Sequence, residues 1–194
     1  MIPEIEAIFL DVGNTLRIVI EDKEFMVDAK KKLVELTGAR MDPDEFYALL
    51  EDRYKVLRKR AKETLIEASE KEMWTKWMLP DFPTEMIAPL SGKLTRLWRD
   101  SDGRRIPRSD VSMVVKELHR RGYILGIIAN TITETEIPDW LEADGLGGYF
   151  KTVVLSSKLG IRKPNPEIYL ESARRVGVEP GKCVYVGDNP VRDV

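Results

Sequence analysis

Residues 9–16, FLDVGNTL, carry a short apolar run onto an aspartate and then into a glycine–asparagine turn. With the residues before it the run reads IEAIFL over 5–10, a continuous apolar stretch bounded by turn signals, which is the pattern of a strand buried on both faces. YILGIIA (123–129), TVVLS (152–156) and CVYVG (183–187) repeat that pattern. Between them lie amphipathic helices. RSDVSMVVKELHRRG places Val111, Val114, Val115 and Leu118 at helical spacing and stops at Gly122, a residue suited to a left-handed helix end. KPNPEIYLESARRVG has prolines where a first turn accepts them, then Tyr169, Ala173 and Val176 on one stripe before Gly177. Strand and helix in alternation predict an α/β core whose parallel sheet is covered on both sides.

Residues 18 to 105 interrupt the alternation with long helical patterns and no convincing strand. DPDEFYALLEDRYKVL opens with Asp42 as cap, Pro43 in the first helical position and Glu45 three residues after the cap, a capping box. Phe46, Leu49, Leu50 and Leu57 mark its buried face. The reading is a Rossmann-like core, 1–16 and 106–194, with an all-helical cap domain inserted over 17–105.

Bulk properties narrow the function. The chain has 194 residues, 43% of them apolar, and 31 basic against 33 acidic side chains, so nothing in its charge points to nucleic acid or an anionic membrane as partner. A lone cysteine, Cys183, excludes an internal disulfide and any multi-thiolate metal site. The start, MIPEIEAIFLD, lacks a basic lead-in and a long apolar run, so the expected location is the cytoplasm. The sequence stops at Val194, one residue past its last motif; either a tail is missing or the core is trimmed, and an open sheet edge then needs cover.

In an open α/β sheet, residues just past the carboxyl ends of the strands converge on one crevice. Asp11, Asn130 with Thr131, Lys163, and Asp188 with Asp193 all fall there. Their order resembles the haloacid dehalogenase superfamily, most of whose members are magnesium-dependent phosphatases: an hhhhDxxxTL start, a helical insert soon after, a strand ending near NT, a lysine in RKPNPEIY and a closing VGDNPVRDV. The resemblance runs through the whole chain. It implies Asp11 as nucleophile, forming an aspartyl phosphate. It implies Mg²⁺ held by Asp11, Asp188 and the backbone carbonyl of Gly13. Lys163 would stabilise the transferring group, Asp193 would orient water or Lys163, and Thr15, Asn130 and Thr131 would bind the phosphate of a small phosphorylated substrate. Tyr169 is ambiguous, lying on an inward stripe yet resembling a tyrosine that dehalogenases keep near the lysine.

Two positions depart from the family pattern. Gly13 stands where its phosphatases carry the aspartate that protonates the leaving oxygen and later deprotonates water, work usually supplying about 10²- to 10⁴-fold in rate. Ala129 stands where they carry a hydroxyl residue. The implied activity is phosphoryl transfer to Asp11 with impaired acid–base help. A dehalogenase-like or phosphonatase-like carbon-centred hydrolase and a non-catalytic binder of phosphate or protein remain open alternatives; both magnesium carboxylates in GDNPVRD favour phosphoryl chemistry. Elsewhere the simpler readings hold: His119 serves a helix end, Cys183 is core, and Met73, Trp74, Trp77 and Met78 form the interior of the insert, with one tryptophan facing the crevice as the sharper option. Arg53 or Arg58 reaches a substrate phosphate if turned inward.

Overall fold

The computed structural model describes residues 4–193. Along the chain run β1 (Ala7–Leu10), β2 (Arg17–Ile20), α1 (Lys23–Thr37), α2 (Pro43–Thr64), α3 (Glu70–Glu72), α4 (Thr84–Ile87), α5 (Ser91–Asp100), β3 (Arg104–Pro107), α6 (Val111–Arg120) and β4 (Ile124–Ala129). Then follow α7 (Glu136–Ala143), β5 (Phe150–Leu155), α8 (Ser156–Leu159), α9 (Pro166–Val176) and β6 (Cys183–Val186). A four-stranded parallel sheet has the order β5-β4-β1-β6, which places the strand ending at Asp11 between two neighbours.

Residue alternation along β1 divides the core. Ile8 and Leu10 face Val111 and Val115 of α6 and Ile137, Trp140 and Leu141 of α7. Ala7 and Phe9 face the other way, against Ile168 and Val176 of α9. Phe9 explains one glycine: a Cβ on Gly126 would lie 2.5 Å from its ring, so only glycine lets β4 pair beside it. The helix ends follow the sequence signals. Asn165 caps α9 by accepting from Glu167 N, and Gly177 closes it at φ 74°. Asp42 caps α2 through Asp44 N at 2.9 Å and Glu45 N at 3.4 Å.

The helical insert has its own interior, built from Leu33, Phe46, Leu50, Trp74, Met78 and Leu94 among others. Met73–Met78 form a π-helical turn whose Trp74 is fully buried and donates Nε1–H to Thr95 Oγ1 at 2.8 Å. The pairing satisfies the indole where no water could reach it. Neither Trp74 nor Trp77 reaches the crevice; Trp98 of α5 lines it instead. Leu49 is only half-buried, while Phe46 and Leu50 carry the inward face of α2.

Two expectations need correction. The 17–105 stretch is not wholly helical, because β2 pairs antiparallel with β3, Ile18 opposite Ile106, in a two-stranded ribbon at the base of the insert. The stretch CVYVG is not buried on both faces either: β6 is an edge strand, and Val184 and Val186 are 37% and 45% exposed.

The ribbon carries an electrostatic knot. Glu136, at the start of α7, is buried and meets Arg17 of β2 at 3.2 Å, Arg99 of α5 at 2.6 Å and Arg105 of β3 at 3.8 Å. Burial pushes its carboxyl up, yet Arg99, Arg105 and Arg17 together hold it below the usual carboxylate range. One carboxylate on the sheet side is thus tied to both strands of the ribbon and to a helix of the insert.

Candidate active site

Asp11 leaves the carboxyl end of β1 into the turn Val12–Leu16, where Asn14 takes a left-handed φ of 57° and donates from Nδ2 to Asp188 Oδ2 at 3.0 Å. That bond ties the first loop to the loop after β6 and lowers the Asp188 carboxyl, with Arg192 assisting. Asp193 reaches the same place because Gly187 has no side chain; a Cβ there would lie 2.4 Å from Asp193 Oδ2.

Lys163 is 1% exposed and bridges two carboxylates, its Nζ lying 3.0 Å from Asp11 Oδ1 and 2.8 Å from Asp193 Oδ1. It also donates to the Tyr185 hydroxyl, which in turn donates to Ile128 O at 3.2 Å. A buried ammonium so surrounded has one position available. Its main chain is fixed as well: Asn130 Nδ2 donates to Lys163 O at 2.9 Å, and Lys163 N donates to Asn130 Oδ1 at 2.8 Å. Asn130, expected among the phosphate donors, therefore has its amide committed at both ends to locking the lysine.

The other expected residues divide. Thr131 lines the crevice and its Oγ1 accepts from Thr133 N at 3.2 Å. Thr15 Oγ1 is buried without a hydrogen-bond partner among the described residues. Tyr169 faces the back of the site, its ring edge-on to Tyr185 and its hydroxyl donating to Arg192 O at 2.8 Å, with burial pushing the phenol up to about 12. Gly13 has no heavy atom within 4 Å of where a Cβ would sit. The backbone thus leaves room for the side chain the family usually has there.

Asp11, Asp188 and Asp193 each offer a carboxylate oxygen, and these oxygens lie within 4.8 Å of one another. Burial pushes the Asp11 carboxyl up while Lys163 opposes the shift. Asp11 Oδ2 is buried with no hydrogen bond among the described residues and lies 3.5 Å from Arg192 Nη2. A buried lone pair without a donor, flanked by further carboxylates, is the donor set a hard divalent cation satisfies, so these residues fit Mg²⁺. The sequence reading missed Arg192, Tyr185 and Asn14. Arg192 spans the carboxylates, with Nη2 3.1 Å from Asp188 and Nε 3.7 Å from Asp193. The RD pair in VRD was the available signal, but its register is fixed only by the fold.

A crevice of about 360 Å³ adjoins this cluster through Asn130, Thr131 and Arg192 and is lined on its other side by residues of α2 and α5. Tyr47, Tyr54 and Trp98 form one wall, with ring centroids 5.0 and 5.5 Å apart for the two Tyr–Trp98 pairs. Arg53 turns away to Asp81 and Met78 O, whereas Arg58 lines the crevice.

Comparison with known proteins gives the family of the chain. Residues 5–194 match the haloacid dehalogenase-like hydrolases, and the chain belongs to that family. It is 37% identical to a glyceraldehyde 3-phosphate phosphatase of Methanopyrus kandleri over 90 residues, which is 45% of this chain and only 37% of that relative's length. A phosphoserine phosphatase of Thermus thermophilus is 23% identical over 96% of this chain and 82% of its own length. Among solved structures, a 2-haloacid dehalogenase from Pseudomonas syringae pv. Tomato DC3000 superposes with a TM-score of 0.66 at 22% identity, covering 97% of this chain and 80% of that one. At that identity the superposition speaks for the fold.

Proposed function

We propose that the protein is a Mg²⁺-assisted phosphatase or phosphotransferase acting on a small phosphorylated metabolite through an aspartyl phosphate at Asp11. One observation carries the reading: a buried carboxylate at the end of the central strand, with one oxygen held by Lys163, the other without a hydrogen bond among the described residues, and carboxylate oxygens of Asp188 and Asp193 within 4.8 Å of it. The phosphatases among its relatives support it.

A carboxylate oxygen of Asp11 attacks phosphorus; the new O–P bond forms as the bond to the leaving oxygen breaks, and that oxygen takes its proton from water. Lys163, steadied by Asp193, Tyr185 and Asn130, favours the ionised form of Asp11, orients its carboxylate and offsets negative charge on the transferring group. Asp11 and Asp188, with the Gly13 carbonyl, would hold Mg²⁺, which supplies positive charge that balances the phosphoryl oxygens against the attacking carboxylate. Gly13 contributes no proton donor or acceptor, so alkoxide departure and attack of water on the aspartyl phosphate both proceed without the usual help. Good leaving groups are favoured and the phosphorylated protein accumulates. The insert over 17–105 acts as a cap that excludes bulk water.

Hydrolysis of nitrophenyl phosphate tests the reading. Turnover should require Mg²⁺ and vanish in Asp11→Asn; turnover independent of either overturns it. Release of halide from a 2-haloacid without Mg²⁺ would instead support the carbon-centred alternative.

A further inference from the structure

Resting on the phosphatase reading, we infer that the crevice selects phosphate esters bearing a second anionic oxygen group, a carboxylate or another phosphate, and that Arg58 recognises it. Five of the six basic side chains lining the crevice already have a carboxylate. Arg99 and Arg105 meet Glu136, Arg162 meets Glu67 at 3.2 Å, Arg192 meets Asp188, and Lys55 meets Asp52 at 3.1 Å. Arg58 forms no ion pair or hydrogen bond among the described residues, although it lies on the crevice side of α2.

One turn earlier on the same helix, Tyr54 also lines the crevice, and its hydroxyl has no hydrogen-bond partner among the described residues. A guanidinium and a phenol separated by one helical turn form a two-point donor set, and Arg is the side chain suited to planar anionic groups. The donors belong to the insert, on the opposite wall from Asn130 and Thr131. Arg192 lines the crevice and lies 3.5 Å from Asp11 Oδ2, so a ligand whose phosphate sits at Asp11 extends its far end into the space these donors line. A volume of about 360 Å³ limits that ligand to a small metabolite. The acidic neighbours do not consume these donors: Glu67 is held by Arg162 and by Ser156 Oγ at 3.0 Å.

The test compares 3-phosphoglycerate and propane-1,3-diol bisphosphate with glycerol 3-phosphate, which shares their three-carbon backbone but has a neutral far end. For the whole chain with Mg²⁺, kcat/KM should favour each second-anion ester by about tenfold, mostly through KM, as one charged hydrogen bond supplies. In Arg58→Ala the ratio should fall to within about twofold, with Arg58→Lys intermediate. Preference for only one of the two anionic esters identifies the group and still supports the inference. Equal kcat/KM for all three esters in the parent, or a ratio unchanged in Arg58→Ala, overturns it. Should no ester turn over, nitrophenyl phosphate included, the phosphatase reading fails by itself. Thermal shift then decides: a larger melting-temperature rise with 3-phosphoglycerate than with glycerol 3-phosphate, lost in Arg58→Ala, supports the second-anion site, and equal shifts overturn it.

Discussion

Gly13→Asp is the substitution whose outcome follows most fully from the structure. A Cβ at position 13 meets no heavy atom within 4 Å, and the residue is not among those with positive φ, so neither crowding nor backbone strain opposes a side chain. The cost to stability should stay within about 0.5 kcal/mol, a melting-temperature change of no more than about 2 °C for a chain of this length. The gain should be catalytic. A carboxyl two residues beyond the nucleophile can protonate a leaving alkoxide and deprotonate the water that follows, work of about 10²- to 10⁴-fold, or roughly 3–5 kcal/mol. Nitrophenolate needs no proton to depart, so its ester should gain only through the second step. Steady-state kinetics of glycerol 3-phosphate and nitrophenyl phosphate, measured in parallel at fixed Mg²⁺, separate the two. The expected result is a gain of at least about 100-fold for the alkyl ester and a smaller gain for the aryl ester. An unchanged alkyl rate in a variant that melts normally would refute the reasoning, because the missing acid would then not limit turnover.

Other perturbations probe the surroundings. Lys163→Met leaves Asp11 and Asp193 without the ammonium they share, so turnover should drop by about 10²-fold or more and nitrophenyl phosphate kinetics will show it in kcat. Glu136→Gln strips three guanidinium groups of their common anion and should cost about 3 kcal/mol, roughly 6–12 °C in melting temperature by calorimetry. The folded Glu136 carboxyl lies below its ordinary range, so its stabilisation is complete above the unfolded value, about 4.5, and disappears as pH falls through the folded one. Melting temperatures at successively lower pH should therefore decline less steeply in Glu136→Gln than in the parent.

The sheet was readable in the sequence because β1 and β4 are apolar runs and β5 ends in Val153, Val154 and Leu155, and α6 and α9 because their periodicity ends in Gly122 and Gly177. β2 and β3 were not, since RIVI and RRIP are four residues long and the second contains a proline, leaving no alternation to detect. The half-open edge at β6 depends on strand order, which the local pattern CVYV does not encode. In the site, residue types were legible and their pairings were not. Asn130 lies where its place after a strand put it, yet its partners are 33 residues away along the chain. Tyr185 reads as an ordinary strand residue until the turn before α9 brings Lys163 over its ring, 4.6 Å from the centroid. Arg192 is one turn from Asp188, and only the closing loop turns it onto the carboxylates. Gly13 shows the reverse: the sequence reports a missing acid, and the structure adds that the space for it is still open.

The most direct examination of the central claim is to trap the phosphorylated nucleophile. The protein is mixed with nitrophenyl phosphate and Mg²⁺, quenched, reduced with borohydride and digested, and the peptide holding residue 11 is sequenced by mass spectrometry. Reduction of an aspartyl phosphate leaves homoserine, and slow breakdown in the absence of an acid–base residue at position 13 should make the yield high. Homoserine at position 11, absent when Mg²⁺ is withheld, is the expected result. Continued turnover with an unmodified Asp11, or homoserine at a different aspartate, would contradict the account.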